Sequence, residues 1–464
     1  MNAFDPGSFR DRSSRVYTVD GRILRGLDAE ALAHQQALAE TRFFREAIAA
    51  GQLVGTKLLA AEDNPLPPEE RARWAGFLEH DRVPFISYPY EWTFSMLRAA
   101  ALLQLDLLLA ALAEDFTLKD ASAYNIQFQG QRPVFIDLGS FTPLQPGEPW
   151  VGYRQFCELF LYPLLLQAYK DVPMQPLLRA SIDGVPVQTA SRLFRGRDVW
   201  RKGVGSHVRL QALFQRRYDQ SESNVRSDLK SAGFSKELIL ANVRKMKRLV
   251  EGLGWAQDQS EWAGYGECHN YSAEDHTRKE DFVRRCVGQQ ALGTVWDIGC
   301  NQGQFARIAA ESANLVLAMD VDHLSVERMF LSKDLPANVH PLVQNLVDPS
   351  PAWGWRHQER RELADRSTPD AVLALALIHH IVISNHIPLD DFVDWLAGLT
   401  PRLLIEFVGR DDDKVQTLLR NKAEAYADYD QSRLEEALGR HYRIEDRLAL
   451  RDGRRTLYWC VRDA

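Results

Sequence analysis

Four short apolar runs in the second half of the chain constrain its fold more than any other feature. They read TVWDIG from residue 294, LVLAMDV from 315, AVLALAL from 371 and RLLIEFV from 402, with helical patterns between them. Such runs are typical of strands buried on both faces of a parallel sheet, with helices covering each face. Two later segments, HYRIEDRL and RTLYWCVR, flank an Arg-Asp-Gly turn and predict an antiparallel hairpin.

Length and composition narrow the remaining possibilities. At roughly 150 residues per domain, 464 residues predict two or three domains. The chain is 45% hydrophobic and 26% charged, which is typical of globular proteins and excludes a mostly disordered or fibrous chain. Its five cysteines form no C-x-x-C pair, which argues against a disulfide framework and favours a reducing compartment.

A change in polarity indicates where the chain divides. The segment DQSESNVRSD, from residue 219, is polar and turn-rich, and KELILANVRKMKRLVEGLG, from residue 236, predicts one amphipathic helix that ends at glycine. We therefore predict a first domain over residues 1–220, a basic helical linker over 221–255 and a second domain over 256–464.

The longest apolar stretch, residues 94–113, predicts a buried helix and not a membrane span. It contains Arg98, Gln104 and Asp106, whose polar groups would be costly in lipid. The first residues show no apolar segment of a secretory signal. We expect a cytoplasmic protein without a membrane partner.

Basic residues are concentrated before the second domain. Residues 192–248 hold 15 Lys and Arg against 5 Asp and Glu. This surplus predicts either solvated helices or a surface for an acidic partner, such as a phosphorylated substrate or a carrier protein. Interleaved glycines and aromatics of an RNA-binding domain are missing, so we do not expect nucleic acid as a partner.

The loop after the first apolar run, DIGCNQGQF, carries the strongest functional signal. Gly299 and Gly303 permit a tight turn and a close approach of the backbone to a ligand, and Asn301 tolerates unusual backbone angles. Asp320 ends the next run, where a carboxylate can accept hydrogen bonds from a ribose diol. The third glycine of a dinucleotide fingerprint is missing. A NAD-type site and a loop without a ligand remain alternatives.

This pattern resembles motif I and the second-strand acid of class I S-adenosylmethionine (SAM)-dependent methyltransferases. With DPSPAWGW, LALALIHH and IEFV, it looks like a bacterial subgroup of nodulation host-specificity type methyltransferases. The resemblance covers about residues 262–462 and implies an α/β domain with a Rossmann-like seven-stranded sheet and a terminal antiparallel hairpin. It implies that SAM is bound by Asp297, Gly299, Asn301, Gly303, Phe305, Asp320, Val321, Asn345 and Leu346.

Three groups are candidates for the chemistry. His379 and His380 follow the run AVLALAL, where a neutral imidazole can take a proton from the acceptor, and Glu406 at the tip of the strand RLLIEFV is an alternative base. Methyl transfer can also proceed by proximity and orientation alone. Trp262, Tyr265 and Tyr271 either stack on the cofactor or belong to the core.

The first half resembles protein and aminoglycoside kinases. Asp120 and Asn125 stand in a D-x-x-x-x-N pattern, and Asp137 begins a D-x-G. The resemblance implies an α+β, mostly helical kinase-like domain, with Asp120 as the base and with Asn125 and Asp137 holding Mg²⁺ for ATP.

The departures from kinases are substantial. Leu118–Lys119 replaces His-Arg or His-Gly, there is no glycine-rich phosphate loop, and Lys57 follows the first predicted helix where a kinase has its lysine before it. Three interpretations stay open: a degenerate kinase-like domain that binds substrate, an active kinase with Mg-ATP, or a chance resemblance.

Together these observations predict a SAM-dependent methyltransferase. We expect it to act on an O or N nucleophile of a small-molecule acceptor, acidic or phosphorylated, that the first domain helps to bind. The alternatives are a bifunctional kinase–methyltransferase and a SAM-binding scaffold without turnover.

Overall fold

A computed structural model of the chain describes residues 4–219, 235–257, 272–420, 426 and 428–462. The chain forms two compact units. The first comprises Met1–Ala256 and Ala352–Arg360, and the second comprises Gln257–Pro351 and Arg361–Ala464.

The first unit contains eight strands and ten helices in its described part. The strands are β1 (Ser14–Val19), β2 (Arg22–Leu27), β3 (Thr56–Leu58), β4 (Gly76–His80), β5 (Phe116–Leu118), β6 (Ile126–Gln129), β7 (Arg132–Phe135) and β8 (Phe141–Pro143). The helices are α1 (Ala29–Glu40), α2 (Arg42–Ala49), α3 (Pro68–Arg71), α4 (Phe94–Ala113), α5 (Tyr153–Phe156), α6 (Tyr162–Lys170), α7 (Met174–Ala180), α8 (Val187–Leu193), α9 (Leu210–Asp219) and α10 (Lys236–Glu251).

The strands of this unit form three small sheets. The strands β1-β2-β4-β3 form an antiparallel sheet, β5 pairs with β8, and β6 pairs with β7. The pair β6–β7 is also antiparallel. This mixture of sheets and helices agrees with the predicted α+β class, and the kinase resemblance stays a prediction.

The long helix α4 forms the core of the first unit. Thr93 caps its N-terminus by accepting a hydrogen bond from the N–H of Met96, and twelve of its residues are buried. A helix that is apolar on all sides is stable only when it is covered. Within the described ranges α4 is the one helix long and apolar enough to cross a membrane, and 61% of its most apolar window is buried inside the protein. It packs as a core helix, as predicted.

The helix α10 lies against α4. Its buried stripe is Ile239, Val243, Met246 and Val250, and Arg98 of α4 donates hydrogen bonds to the carbonyls of Val250 and Glu251, at 3.2 and 2.7 Å. We predicted this segment as part of a separate linker. The structure instead packs it into the first unit, because the amphipathic stripe covers apolar surface of α4.

The second unit contains seven strands and seven helices in its described part. The strands are β9 (Leu292–Ile298), β10 (Ala313–Asp320), β11 (Val339–Val343), β12 (Ala371–Ala374), β13 (Arg402–Val408), β14 (Arg443–Leu450) and β15 (Arg455–Val461). The helices are α11 (Ala273–Val287), α12 (Gln304–Ala309), α13 (His323–Leu331), α14 (Leu363–Arg366), α15 (Leu389–Leu399), α16 (Asp413–Leu419) and α17 (Gln431–Gly439).

The seven strands form one sheet in the order β11-β10-β9-β12-β13-β15-β14. The strands β9 to β13 pair in parallel, whereas β15 is antiparallel to both of its neighbours. The predicted Rossmann-like sheet with a terminal hairpin is confirmed. Every residue of β12 is buried, as expected of a strand covered on both faces.

A short excursion interrupts the second unit in sequence. Residues 352–360, between β11 and β12, pack within the first unit. Sequence patterns gave no indication of this excursion, because its residues form no regular helix or strand of useful length.

Candidate functional site

The loop between β9 and α12 has three residues with left-handed backbone conformations. The φ angles are +74° at Gly299, +51° at Asn301 and +77° at Gly303. A Cβ on Gly303 would lie 2.3 Å from Sδ of Met329, and one on Gly299 would lie 3.1 Å from a methyl group of Leu377. The glycines are therefore required by both the backbone angles and the close packing.

Asp320, at the end of β10, holds this loop in place. Its Oδ2 accepts the N–H of Asn301 and its Oδ1 accepts the N–H of Asp322, both at 2.8 Å. Burial raises the pKa of Asp320 to about 6. Each carboxylate oxygen retains a lone pair for a further donor.

Asp297, near the end of β9, is the most deeply buried acid beside the loop. It is 2% exposed, and its Oδ2 has no hydrogen-bond partner among the described residues. Burial raises its pKa to about 7, and the nearby Asp320 adds to the effect. Unpaired buried carboxyl oxygens are unfavourable, so this atom indicates a missing donor.

The other predicted cofactor contacts surround the loop. Val321 follows Asp320 and is exposed. Asn345 and Leu346 come just after β11, the first exposed and the second half-buried. Strand β11 pairs with β10, and its Val343 is the register partner of Asp320. Phe305 begins α12 and is half-buried, with its ring centroid 4.8 Å from Nζ of Lys279. The carboxyl ends of β9, β10 and β11 therefore bring these residues together. Trp262, Tyr265 and Tyr271 lie outside the described residues.

His379 and His380 lie further from the strand than predicted. Strand β12 ends at Ala374, and the two histidines stand in the first turn of a helical segment, after a loop in which Ala376 has φ of +50°. Their ring centroids are 4.0 Å apart. Both histidines therefore belong to one helical turn, where alternation along a strand does not separate their side chains.

Burial makes this pair neutral. His379 is completely buried, and neither of its ring nitrogens has a hydrogen-bond partner in the described part of the chain. Burial lowers the pKa of His379 far below its ordinary value and that of His380 to about 4, and in both cases the positive charges of Lys414 and Arg455 add to the effect. A neutral imidazole can accept a proton.

Glu406 is unsuited to the role of base that we predicted as an alternative. It is fully buried, its Oε2 lies 2.6 Å from Nζ of Lys279, and its Oε1 lies 3.6 Å from Nη1 of Arg455. Arg455 also binds Asp412, with Nε and Oδ2 2.8 Å apart. Two cations already bind this carboxylate, and its full burial keeps it from contacting an acceptor.

Lys279 is the residue of this site that sequence reasoning missed. It lies on α11 and is buried, and burial lowers its pKa while the charge of Glu406 opposes that effect. Phe282, Val283, Cys286 and Val287 form the buried stripe of the same helix. The spacing of three and four residues from Lys279 to Phe282 and Val283 would have placed it on that stripe.

The residues that resemble a kinase site form a separate cluster in the first unit. Oδ1 of Asp137 lies 2.8 Å from Nη1 of Arg25, and Oδ2 of Asp137 accepts a hydrogen bond of 2.6 Å from the hydroxyl of Ser140. Asn125 donates to that hydroxyl at 3.3 Å. Burial raises the pKa of Asp120, and Asp137 adds to the effect.

These contacts do not fit the predicted Mg²⁺ site. The guanidinium of Arg25 already neutralises Asp137, where a kinase would bind the metal. Across the described ranges, no group of three or more His, Cys, Asp and Glu side chains is placed to hold a metal ion.

Part of the basic stretch is neutralised within the first unit. Lys236 pairs with Asp115 at 2.7 Å and Lys247 with Asp106 at 2.5 Å. Residues 220–234 lie outside the described residues.

One known protein matches this chain in sequence over almost its whole length. The chain is 34% identical over 456 residues to nodulation protein NoeA from Rhizobium meliloti (strain 1021), a match that covers 97% of this chain and 94% of that protein. No protein-family model matches.

Solved structures similar to the chain include two methyltransferases. N-methyltransferase NodS from Bradyrhizobium japonicum WM9, in complex with S-adenosyl-l-homocysteine, has 11% identity and a TM-score of 0.33, covering 45% of this chain and 94% of its own. Magnesium protoporphyrin IX methyltransferase (ChlM) from Synechocystis PCC 6803 has 18% identity and a TM-score of 0.30, covering 41% of this chain and 84% of its own. The full-length sequence match decides the family: this chain belongs to the family of nodulation protein NoeA.

Proposed function

We propose that this protein is a SAM-dependent methyltransferase whose second unit binds the cofactor. The observation that carries the proposal is the loop of Gly299 to Gly303, tied by its backbone to the carboxylate of Asp320 at the carboxyl edge of a parallel sheet. In open α/β sheets ligands bind at this edge.

The residues of the loop fit the cofactor. Asp297 presents a buried carboxyl oxygen without a donor among the described residues, and the adenosine and amino acid parts of SAM carry hydroxyl and ammonium donors. Asp320 retains acceptor capacity for a ribose hydroxyl. When bound, SAM supplies an electrophilic methyl group. We assign Val321, Asn345 and Leu346 to the rim around adenine.

The histidine pair would take up the proton that the acceptor loses. His380 is half-buried and can contact an acceptor, whereas His379 is completely buried and orients His380 through ring packing. Burial lowers the pKa of His380 to about 4, so its ring is neutral but only weakly basic, and it would take the proton as methyl transfer makes the acceptor more acidic. Glu406 of β13 is bound by Lys279 of α11 and Arg455 of β15, so its role is to hold these elements in position and not to act as the base.

The acceptor that we propose is a small molecule with an acidic or phosphorylated group, methylated on oxygen or nitrogen in the cytoplasm. The basic surplus of residues 192–248 supports an acidic acceptor. The name of the relative assigns it to nodulation, and we extend that role to this chain.

The test is isothermal titration of the full chain with S-adenosylhomocysteine. Gly299→Val should abolish binding, because a branched side chain would fill the loop and cannot adopt its φ of +74°. Gly453→Val is the matched control: it carries the same backbone strain, with φ of +86° in the β14–β15 turn, but no neighbour within 4 Å of its added Cβ.

Two results would contradict the proposal. Unchanged affinity in Gly299→Val would show that the ligand binds elsewhere. Wild-type protein that binds the ligand but transfers no labelled methyl group from SAM to any fraction of a cell extract would instead indicate a scaffold without turnover.

A further inference from the structure

A cavity of about 870 Å³ lies within the first unit, on one face of its antiparallel sheet. Its lining includes the indoles of Trp74 and Trp355, three arginines (Arg15, Arg73 and Arg356) and the carboxylate of Glu70. Ligand pockets in proteins commonly fall between about 300 and 1,000 Å³, so the cavity can hold a molecule of nucleotide size.

This cavity is separate from the Asp137 cluster. Arg15 of β1 is the register partner of Gly26 in β2, so both face the same side of the sheet, and a Cβ on Gly26 would lie 2.5 Å from the indole of Trp74. Arg25 stands between Leu24 and Gly26 and therefore points to the opposite side, where it pairs with Asp137. The two faces of one sheet thus carry two different polar sites.

The excursion of residues 352–360 forms one wall of the cavity. Arg10 anchors it through three hydrogen bonds to Glu359, at 2.8, 3.1 and 3.2 Å, and Trp353 packs edge-on against Tyr90 with ring centroids 5.9 Å apart. Between these anchors Trp355 is 66% exposed, and Arg356 has φ of +59°. An exposed indole beside a strained arginine, on a firmly anchored segment, suggests a functional surface.

The charges of the cavity favour an anion. Three arginines against one glutamate leave a net charge of 3 − 1 = +2. Arg73 pairs with Glu70 at 3.2 Å, and Arg15 donates to the carbonyl of Ser8 at 2.6 Å. Within the described part of the chain, neither Arg15 nor Arg356 has a carboxylate at salt-bridge distance. Two unneutralised guanidinium groups suit a ligand with two phosphates.

We propose that this cavity binds a nucleoside diphosphate. The base stacks on the indoles of Trp355 and Trp74, as bases do on exposed aromatic side chains, and the phosphates bind Arg15 and Arg356. The same chemistry is presented by a free nucleoside diphosphate and by one that carries a sugar. The proposal concerns the first unit and does not require methyl transfer by the second.

The test is titration of the full chain with UDP, ADP and GDP, and with uridine and pyrophosphate as fragments. At least one diphosphate should bind more tightly than either fragment. Trp355→Ala and Arg356→Gln should each weaken that binding about tenfold or more, because both side chains are exposed and contribute to binding and not to folding. Trp200→Ala, at an 89% exposed tryptophan elsewhere in the unit, should leave it unchanged.

Further variants separate this site from the others. Gly299→Val should retain full nucleotide affinity, so failure of the methyltransferase proposal would not affect this one. UDP-glucose that binds at least as tightly as UDP would identify a sugar-bearing ligand, and weaker binding would identify the free nucleotide. The proposal is overturned if no diphosphate binds, or if Asp137→Asn removes the binding while Trp355→Ala and Arg356→Gln retain it.

Discussion

At the scale of single residues, the histidine pair after β12 combines full burial of one ring with partial exposure of the other. His379 is fully buried without a hydrogen bond to either ring nitrogen in the described part of the chain, and His380 packs on it with one edge toward solvent. Buried polar groups of this kind are costly, so their persistence in a fold indicates a use.

We predict that His380→Ala lowers the kcat of methyl transfer about 10²- to 10⁴-fold, the usual contribution of general base catalysis. Affinity for S-adenosylhomocysteine should stay unchanged, because the substitution does not alter the loop of Gly299 to Gly303. The measurement is transfer of labelled methyl groups from SAM, with His357→Ala as an exposed control. Full turnover in His380→Ala would show that transfer proceeds by proximity and orientation alone.

At the scale of elements, helix α11 is joined to the sheet by a buried ion pair. Lys279 of α11 contacts Glu406 of β13, and Arg455 of β15 continues the network to Asp412. A buried pair contributes little net stability over an apolar one, but removal of one partner leaves an uncompensated charge.

We predict that Lys279→Met destabilises the second unit by about 3–5 kcal/mol, because it removes the nearer of the two cations that bind the buried carboxylate of Glu406. The double variant Lys279→Met/Glu406→Gln should recover part of this loss, since it removes the orphaned charge. Lys333→Met, at an exposed lysine of the same unit, is the control. Denaturant unfolding measures all three. Equal stability of Lys279→Met and the wild type would mean that the pair is dispensable.

At the scale of the whole molecule, six histidines among the described residues are held neutral by burial. Burial lowers the pKa of His80, His323 and His340 to about 3, that of His207 and His380 to about 4, and that of His379 far below its ordinary value. Between pH 6.5 and 4 the unfolded chain therefore binds protons at these positions that the folded chain does not. The raised pKa values of Asp120, Glu158, Asp297 and Asp320 have the opposite effect, but these acids are fewer than the histidines.

We predict that the unfolding midpoint falls as the pH is lowered from 7 to 5. The stability that each histidine with a lowered pKa contributes is fully present above about pH 6.5. It is lost as the pH falls toward the pKa of that histidine in the folded chain, at up to about 1.4 kcal/mol per pH unit. His340→Leu should make the dependence shallower, and His357→Leu, at an exposed histidine, should not. Calorimetry from pH 7 to 5 measures the midpoints. A midpoint that is constant or rises toward pH 5 would contradict the prediction.

The sequence was most informative where local rules and the tertiary fold agree. The strands β9, β10, β12 and β13, the closing hairpin and the turn glycines at 299 and 303 could all be predicted, because apolar runs and obligatory backbone angles depend on neighbouring residues.

By itself, the sequence determined the second unit's sheet and the position of the loop of Gly299 to Gly303, because periodicity and glycine requirements are local properties. Only the tertiary structure decided that Glu406 is bound by Lys279 and Arg455, that Arg25 neutralises Asp137, and that residues 352–360 belong to the first unit. Each of these contacts joins side chains that are far apart in the sequence. Their pairing follows from burial and charge compensation in the folded chain, which no local pattern records.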